Sequence, residues 1–515
     1  MSDAVDRGIT VTEMAPMVQA IDVSPETTAA FVGRTLRGPL NEPVLIRDIG
    51  EFRRRFGDLW SRSSLGPAVK QFFEHGGHRL YVVRVANNAR GAMLCLPASG
   101  SALVLRAVEP GSTESLRAAV DLDGIDGADE ELFNLTLQRT DPASGHIIDQ
   151  ECYRRVSFRE GSRRFVADAL LTSTMARVER PFPTHRPDVT QGPLAPLDDA
   201  YVEQAQEGGD GDELSDYDLI GSPRSGTGLF ALRNIEQLDI LYLPPPGKSR
   251  DLGPASLLAA ELFCRKRGAM LVIDPRLDWN TPAMAVAGVR ELGLASANAI
   301  SYFPRLRERA DEDMRPRAVG AALAGLLCKL DKGEGPWRPL DTTAHGFSRD
   351  LTAAIEIDEE HIQLLARHGL NAITKGGAGR THIRNSVTMD PAREPHRRDL
   401  AVRRLCLRIV NSIDNATRWA VFEPDSERAA DIVRMQVGAY LSALQGLGAF
   451  EPGNIVVECK GGSGHSGPEA ARGVTILIGF RPAGCGAPMS LTIHQTVMGC
   501  RVAPTAFAPV MENCA

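Results

Sequence analysis

The stretch DILYLPPPGKSRDLGPASLLAAELFCRKRGAMLVIDP, residues 239–275, decides the fold. It opens on a short apolar run, DILYLP, and closes on another, AMLVIDP, with an apolar-periodic segment over 254–267 between them. The pattern continues with a helix over 282–291, a strand in NAISYFP and a helix over 316–330. Strands alternating with helices predict right-handed βαβ units, hence a parallel sheet with helices packed on it. Such a sheet opens a crevice at its carboxyl strand ends, and Asp274 ends one of these strands. An aspartate before proline is also a turn former. No G-x-G-x-x-G follows any of the strands, so a dinucleotide site is not supported.

Upstream, AAFVG and PVLI read as strands, and Asp48 with Glu51 has the spacing that starts a short helix. A second helix over Leu65–Glu74 stops at Gly76 and Gly77, and RLYVVRV is a buried strand. Between the first two strands, Gly33 and Gly38 have the frame of a phosphate-binding loop. That loop needs Lys and Ser or Thr after its last glycine. Pro39 and Leu40 stand there instead, so the glycines are expected to serve a tight turn.

Residues 92–225 change character. Short runs such as ALVLRAV, LRAAVDL, LFNLTLQ, ECYRRVSF and ADALLTSTMARV alternate with turn-rich pieces, which predicts a small all-β insertion. It ends in a Pro-, Gly- and acid-rich segment that reads as a mobile linker, and Asp210, Asp212 and Asp216 lack the register of a calcium loop. In the last third, Val402, Leu405, Cys406, Ile409, Val410 and Ile413 recur at helical spacing, with Arg403, Arg404 and Arg408 expected on the other face, which reads either as solvated or as a docking surface for an acidic partner. RWAVFEP reads as a strand, and a long helix from Ser426 to about Gln445 has Asp425 as its cap. VTILIGF and MSLTIHQTV are alternating strands before an irregular tail.

The chain of 515 residues carries a net charge of −7 and 5% aromatics, which argues against wrapping or stacking on nucleic acid. No apolar run approaches a membrane span, and the start MSDAVDRGITVTEM lacks the pattern of a signal peptide, so synthesis in a cytoplasm is expected. Nine cysteines form no C-x-x-C pair. Cys485, Cys500 and Cys514 lie late in the chain and are candidates for cross-links between neighbouring chains. His75 and His78 have no third metal ligand near them, and neither TSTMA (172–176) nor GGSGHSG (461–467) fits a hydrolase register. No catalytic, metal or cofactor site is assigned.

Several stretches together resemble the contractile tail sheath proteins, which form the outer cylinder of contractile phage tails, R-type tailocins and related injection machines. They are AAFVGRTLRGPLNEPVLIRDIGEFRRRFGDLW, LGPAVKQFFEHGGHRLYVVRV, GTGLFAL with DILYLP, LFCRKRGAMLVIDP, NAISYFPRL and, most specifically, VRRLCLRIVNSIDNATRWAVFEPDSERA. Residues 460–515 match the family poorly. The resemblance implies an α/β plus α+β fold: an N-terminal arm (1–25), the first part of the sheath core (26–91), an inserted outer β domain with an acidic linker (92–225), a subtilisin-like but non-catalytic βαβ domain (226–380), a C-terminal core domain (381–484) and a C-terminal arm (485–515).

It further implies stacked hexameric rings around an inner tail tube, with baseplate and tail-terminator proteins as further partners and a virion or extracellular particle as the location. The terminal strands, with Ile9, Val11 and Glu13 in ITVTEM and Leu491 and Ile493 in MSLTIHQTV, are expected to add to neighbours' sheets. Arg404, Arg428 and Arg434 are the candidate tube contacts. The rival readings are a static tube or other virion component, and a hydrolase using Asp274.

Overall fold

A computed structural model describes residues 20–23, 26–113, 115–141, 144–190, 200–247, 249–309, 316–341, 346–376, 381–423, 425–453, 455–462, 473–496 and 499–505. The chain divides into two compact units. The larger comprises Thr27–Leu330 and Leu340–Pro391, the smaller Met1–Glu26, Asp331–Pro339 and Ala392–Ala515.

The larger unit is organised by one eight-stranded sheet: β1 (Ala29–Gly33), β2 (Pro43–Ile46), β3 (Leu80–Arg84), β4 (Ile240–Tyr242), β5 (Met270–Ile273), β6 (Ala299–Phe303), β7 (Asn371–Lys375) and β8 (Thr381–Arg384). Its order is β8-β7-β6-β5-β4-β1-β3-β2. All neighbours are parallel except the two edge pairs, β2 with β3 and β7 with β8. The N-terminal strands therefore complete the same sheet as the βαβ units.

Helices cover both faces, which is why the strands read as continuous apolar runs. They are α1 (Ile49–Phe56), α2 (Leu65–Glu74), α3 (Pro254–Arg267), α4 (Pro282–Leu292), α5 (Gly320–Gly333) and α6 (Glu359–Arg367). Ala30, Val32, Leu241, Leu271 and Ile273 meet α3, α4 and α6 on one side. On the other side Phe31 meets Phe72 of α2 edge-on at 5.4 Å and Tyr242 at 5.1 Å. The Asp48 carboxylate accepts from the Glu51 N–H at 2.7 Å and starts α1. Helix α3 ends on Gly268, in the left-handed region at φ 66°.

The two sheets of the insertion pair antiparallel. Strands Val202–Glu203, Ser115–Asp121, Leu132–Thr140 and Ile147–Ser157 form one sheet, and Met93–Ala98, Ser101–Ala107 and Ala176–Val178 form another. They share a core of their own around Leu94, Leu103, Phe133, Leu135 and Met175. Two expectations are corrected here. ADALLTSTMARV is largely a short helix, Val166–Ala169, and a 3₁₀ turn, Leu170–Thr172. The Ser173 hydroxyl accepts the Met175 and Ala176 N–H groups and so breaks the run.

The acid-rich segment, in its described part from residue 200 on, is bonded in place. Arg34 donates to the Asp210 and Gly211 carbonyls at 2.7 and 2.8 Å. Asp210 accepts from the Ser112 N–H and hydroxyl, Asp212 from Asn88, and Asp216 from the Gly253 N–H.

The smaller unit holds α7 (Leu400–Thr417), α8 (Ser426–Gly446) and an antiparallel sheet, β9 (Val456–Gly461), β10 (Val474–Phe480), β11 (Met489–Thr496) and β12 (Gly499–Thr505), paired in chain order. One core runs through Leu405, Ile409, Val433, Tyr440, Ile476 and Ile493. RWAVFEP is no strand. Arg418–Val421 is a 3₁₀ turn that continues α7, with Ala420 and Val421 turned into the protein.

Candidate assembly surfaces

At the carboxyl ends of the central strands Asp274 is fully engaged. It accepts the Tyr242 hydroxyl at 2.7 Å and the Val319 and Gly320 N–H groups at 2.8 Å each. A carboxylate there satisfies orphan donors at the start of α5. Burial first, and the neighbouring carboxylate second, raise the Tyr242 phenol well above its usual range. The arrangement is that of a helix cap.

The glycine-framed loop is likewise spent on structure. Gly38 lies at φ 104°, and a Cβ there would meet the Phe56 ring at 2.7 Å. Its N–H donates to Glu109 at 2.8 Å, and its carbonyl accepts from the fully buried Arg84 at 2.6 Å. Arg84 also donates to the Pro110 carbonyl, so one guanidinium gathers the loop and the insertion. Gly38 makes the expected turn. Gly33 lies in β1 and owes its identity to close approach instead: a Cβ on it would stand 3.2 Å from that of Leu65.

His75 caps the end of α2. Its Nδ1 faces the Gln71 carbonyl at 2.7 Å, and its Nε2 accepts the Ser348 N–H at 3.2 Å. Burial lowers its pKa, opposed by the bond to Gln71. In TSTMA, Ser173 and Thr174 donate to Glu151, as does Tyr153. Burial by itself would raise the Glu151 pKa, but these bonds outweigh it and hold the carboxyl below its usual range.

In the smaller unit the arginines of α7 separate. Arg404 is only 6% exposed and donates to both oxygens of Asp331, with Arg408 4.0 Å from the same carboxylate and also buried. The expectation that Arg404 and Arg408 lie on a solvated face is corrected: both side chains are buried. The reason is Asp331, a counter-ion 73 residues away in the chain. Arg428 and Arg434 are exposed on α8. Arg434 pairs with Asp431 at 2.9 Å, and Asp425 caps the helix by accepting the Arg428 N–H.

The expected arms divide in the same way. Ile9, Val11 and Glu13 lie outside the described residues. Leu491 and Ile493 lie in β11, which is flanked on both sides by this chain's own strands, and both side chains are buried. No free edge is left on β11, so the outer strands β9 and β12 are the edges of that sheet. Cys485 is half-buried against the core, Cys500 falls within β12, and Cys514 lies outside the described residues. Among the described cysteines the exposed thiol is Cys152, in the insertion. Among the described residues no cluster of metal-ligating side chains occurs, and no helix is long and apolar enough to cross a membrane.

The fold has close counterparts among solved structures. A sheath tail protein from Listeria innocua matches with a TM-score of 0.63 at 13% identity, over 93% of this chain and 96% of that one. A sheath tail protein from Desulfitobacterium hafniense matches with a TM-score of 0.55 at 12% identity, over 95% and 100%. The helical sheath of the anti-feeding prophage in its contracted state gives 0.51 at 16% identity, over 98% and 100%. No family model and no curated protein sequence matches the chain. The mixed α/β fold with its large parallel-containing sheet is thus one shared, end to end, with sheath proteins.

Proposed function

We propose that this chain is the structural subunit of a contractile sheath, polymerising as stacked hexameric rings around an inner tube and contracting to drive that tube through an envelope. The observation that carries the proposal is the length of the likeness. Both units and the insertion fall within alignments spanning 93% to 98% of this chain. The parallel sheet is the counterpart of the family's subtilisin-like domain, with Asp274 serving as a helix cap.

Subunits that bind head to tail without closing a ring build an open helical array. Contraction then needs no nucleotide: a trapped extended lattice repacks into a wider one with more buried contact. Neighbours' terminal segments are proposed to join at the edges β9 and β12, which leaves β11 to the internal sheet. Arg428 and Arg434 on α8 face acidic residues of the tube, and baseplate and terminator proteins bind the ends.

Electron microscopy of the protein assembled on its inner tube and of the protein alone tests this reading. Cylinders of two lengths and diameters are expected. One fixed diameter would identify a static tube, and turnover abolished by Asp274→Ala with assembly intact would identify an enzyme.

A further inference from the structure

Helix α3 is apolar on both faces. Leu257, Ala260, Phe263 and Cys264 lie in the core, yet on the outside Leu258 is 53% exposed and Leu262, one turn further, 42%. Beside the start of α3 stands the helix Asp216–Ile220, held by the bond from the Gly253 N–H to Asp216, and it carries Tyr217, 81% exposed. A stripe of exposed apolar side chains marks a surface that another body covers. The far end of the stripe is basic, with Arg265 and Lys266 both exposed.

The same chain carries a surface of opposite signature. Phe422 is 73% exposed, and Glu423, Asp425 and Glu427 follow it within five residues. The projection is held at both ends: the Phe422 N–H donates to the Trp419 carbonyl at 3.0 Å, and Asp425 caps α8. Among the described residues Phe422 is the one phenylalanine in the set of exposed large apolar side chains.

We propose that Phe422 of one copy docks on Tyr217, Leu258 and Leu262 of a second copy, with Glu423 and Glu427 meeting Arg265 and Lys266. The apolar surfaces supply a central anchor and the charges at the rim fix its direction. Donor and acceptor are different patches, so the contact is heterologous and repeats indefinitely along an array. The proposal rests on the sheath reading in taking the partner to be another copy.

Cysteine trapping in the full-length protein tests it. Phe422→Cys and Leu258→Cys proteins are mixed under copper–phenanthroline, and each is also oxidised alone to set the background from the native thiols. The mixture is expected to yield a disulfide-linked dimer at least about five-fold above that background. Lys266→Glu in the Leu258→Cys protein should lower the yield, and Glu423→Lys in its partner should restore it. Equal dimer yields in the mixture and the separate proteins overturn the contact. Micrographs of the unaltered protein judge the sheath reading separately. Cylinders of two diameters without a cross-link sink the contact alone, whereas a cross-link without cylinders supports the contact and sinks the sheath reading.

Discussion

Asp331, at the end of α5, accepts from Arg404 in the middle of α7, and both side chains are buried. With Arg408 close by, one carboxylate serves two buried cations. Removing it takes from the buried Arg404 the carboxylate to which it donates. Asp331→Asn is expected to destabilise the protein by about 3–5 kcal/mol, and replacing Asp331 and Arg404 together by leucine and methionine recovers only part of that loss, because Arg408 still loses its nearby carboxylate. Urea denaturation of the three proteins checks it, and a single replacement as stable as the parent would contradict it.

His75 makes the larger unit sensitive to acid. Its pKa in the folded protein lies below the usual value of about 6.5. The unfolded chain therefore binds the proton first as pH falls. The contribution is fully present above pH ~6.5 and shrinks below it, with a slope of at most about 1.4 kcal/mol per pH unit. Protonation also takes from Nε2 the lone pair that accepts the Ser348 N–H. The difference in unfolding free energy between the protein and His75→Gln, measured from pH 8 to 5, should fall in that window. A flat difference refutes the assignment.

Asp274→Ala should cost stability by about 1–3 kcal/mol, because it strips two backbone N–H groups and the Tyr242 hydroxyl of their acceptor. Tyr242→Phe should cost about 1 kcal/mol, since one hydrogen bond is lost from a carboxylate that keeps its others. Thermal unfolding of both proteins distinguishes this ordering from its reverse.

Arg428→Glu and Arg434→Glu should leave stability within about 0.5 kcal/mol, because exposed ion pairs such as Arg434 with Asp431 contribute little. On the proposed reading they should weaken loading onto the tube, most visibly at low salt. Co-sedimentation with tube protein measures the effect, and undiminished loading of the double variant removes α8 as the tube surface.

The parts of the molecule legible in the sequence are those whose signal is local. The strand and helix runs of the βαβ succession, the Asp48 and Asp425 caps and the short strands of the all-β insertion each rest on a pattern within a single element. The errors share an opposite cause. Arg404 reads as solvated because Asp331 is distant in the chain, and the acid-rich segment reads as mobile because Arg34 and Ser112, which hold it, lie far upstream. Nor does alternation in MSLTIHQTV reveal whose sheet the strand joins. The pairing of Leu491 with Ile478 decides that. Trp and Val in RWAVFEP favour a strand, but the helix running into them prevails.

The position of β1 has a consequence for biosynthesis. One flank of this strand pairs with Leu80–Arg84, the other with Ile240–Tyr242. On a ribosome adding about 5–20 residues each second, Phe31 waits roughly 10–40 s for its second neighbour while the whole insertion emerges in between. An autonomous core around Leu94 and Phe133 lets that intervening piece fold out of the way, and until Tyr242 arrives the nascent chain carries a half-built sheet that chaperones would recognise.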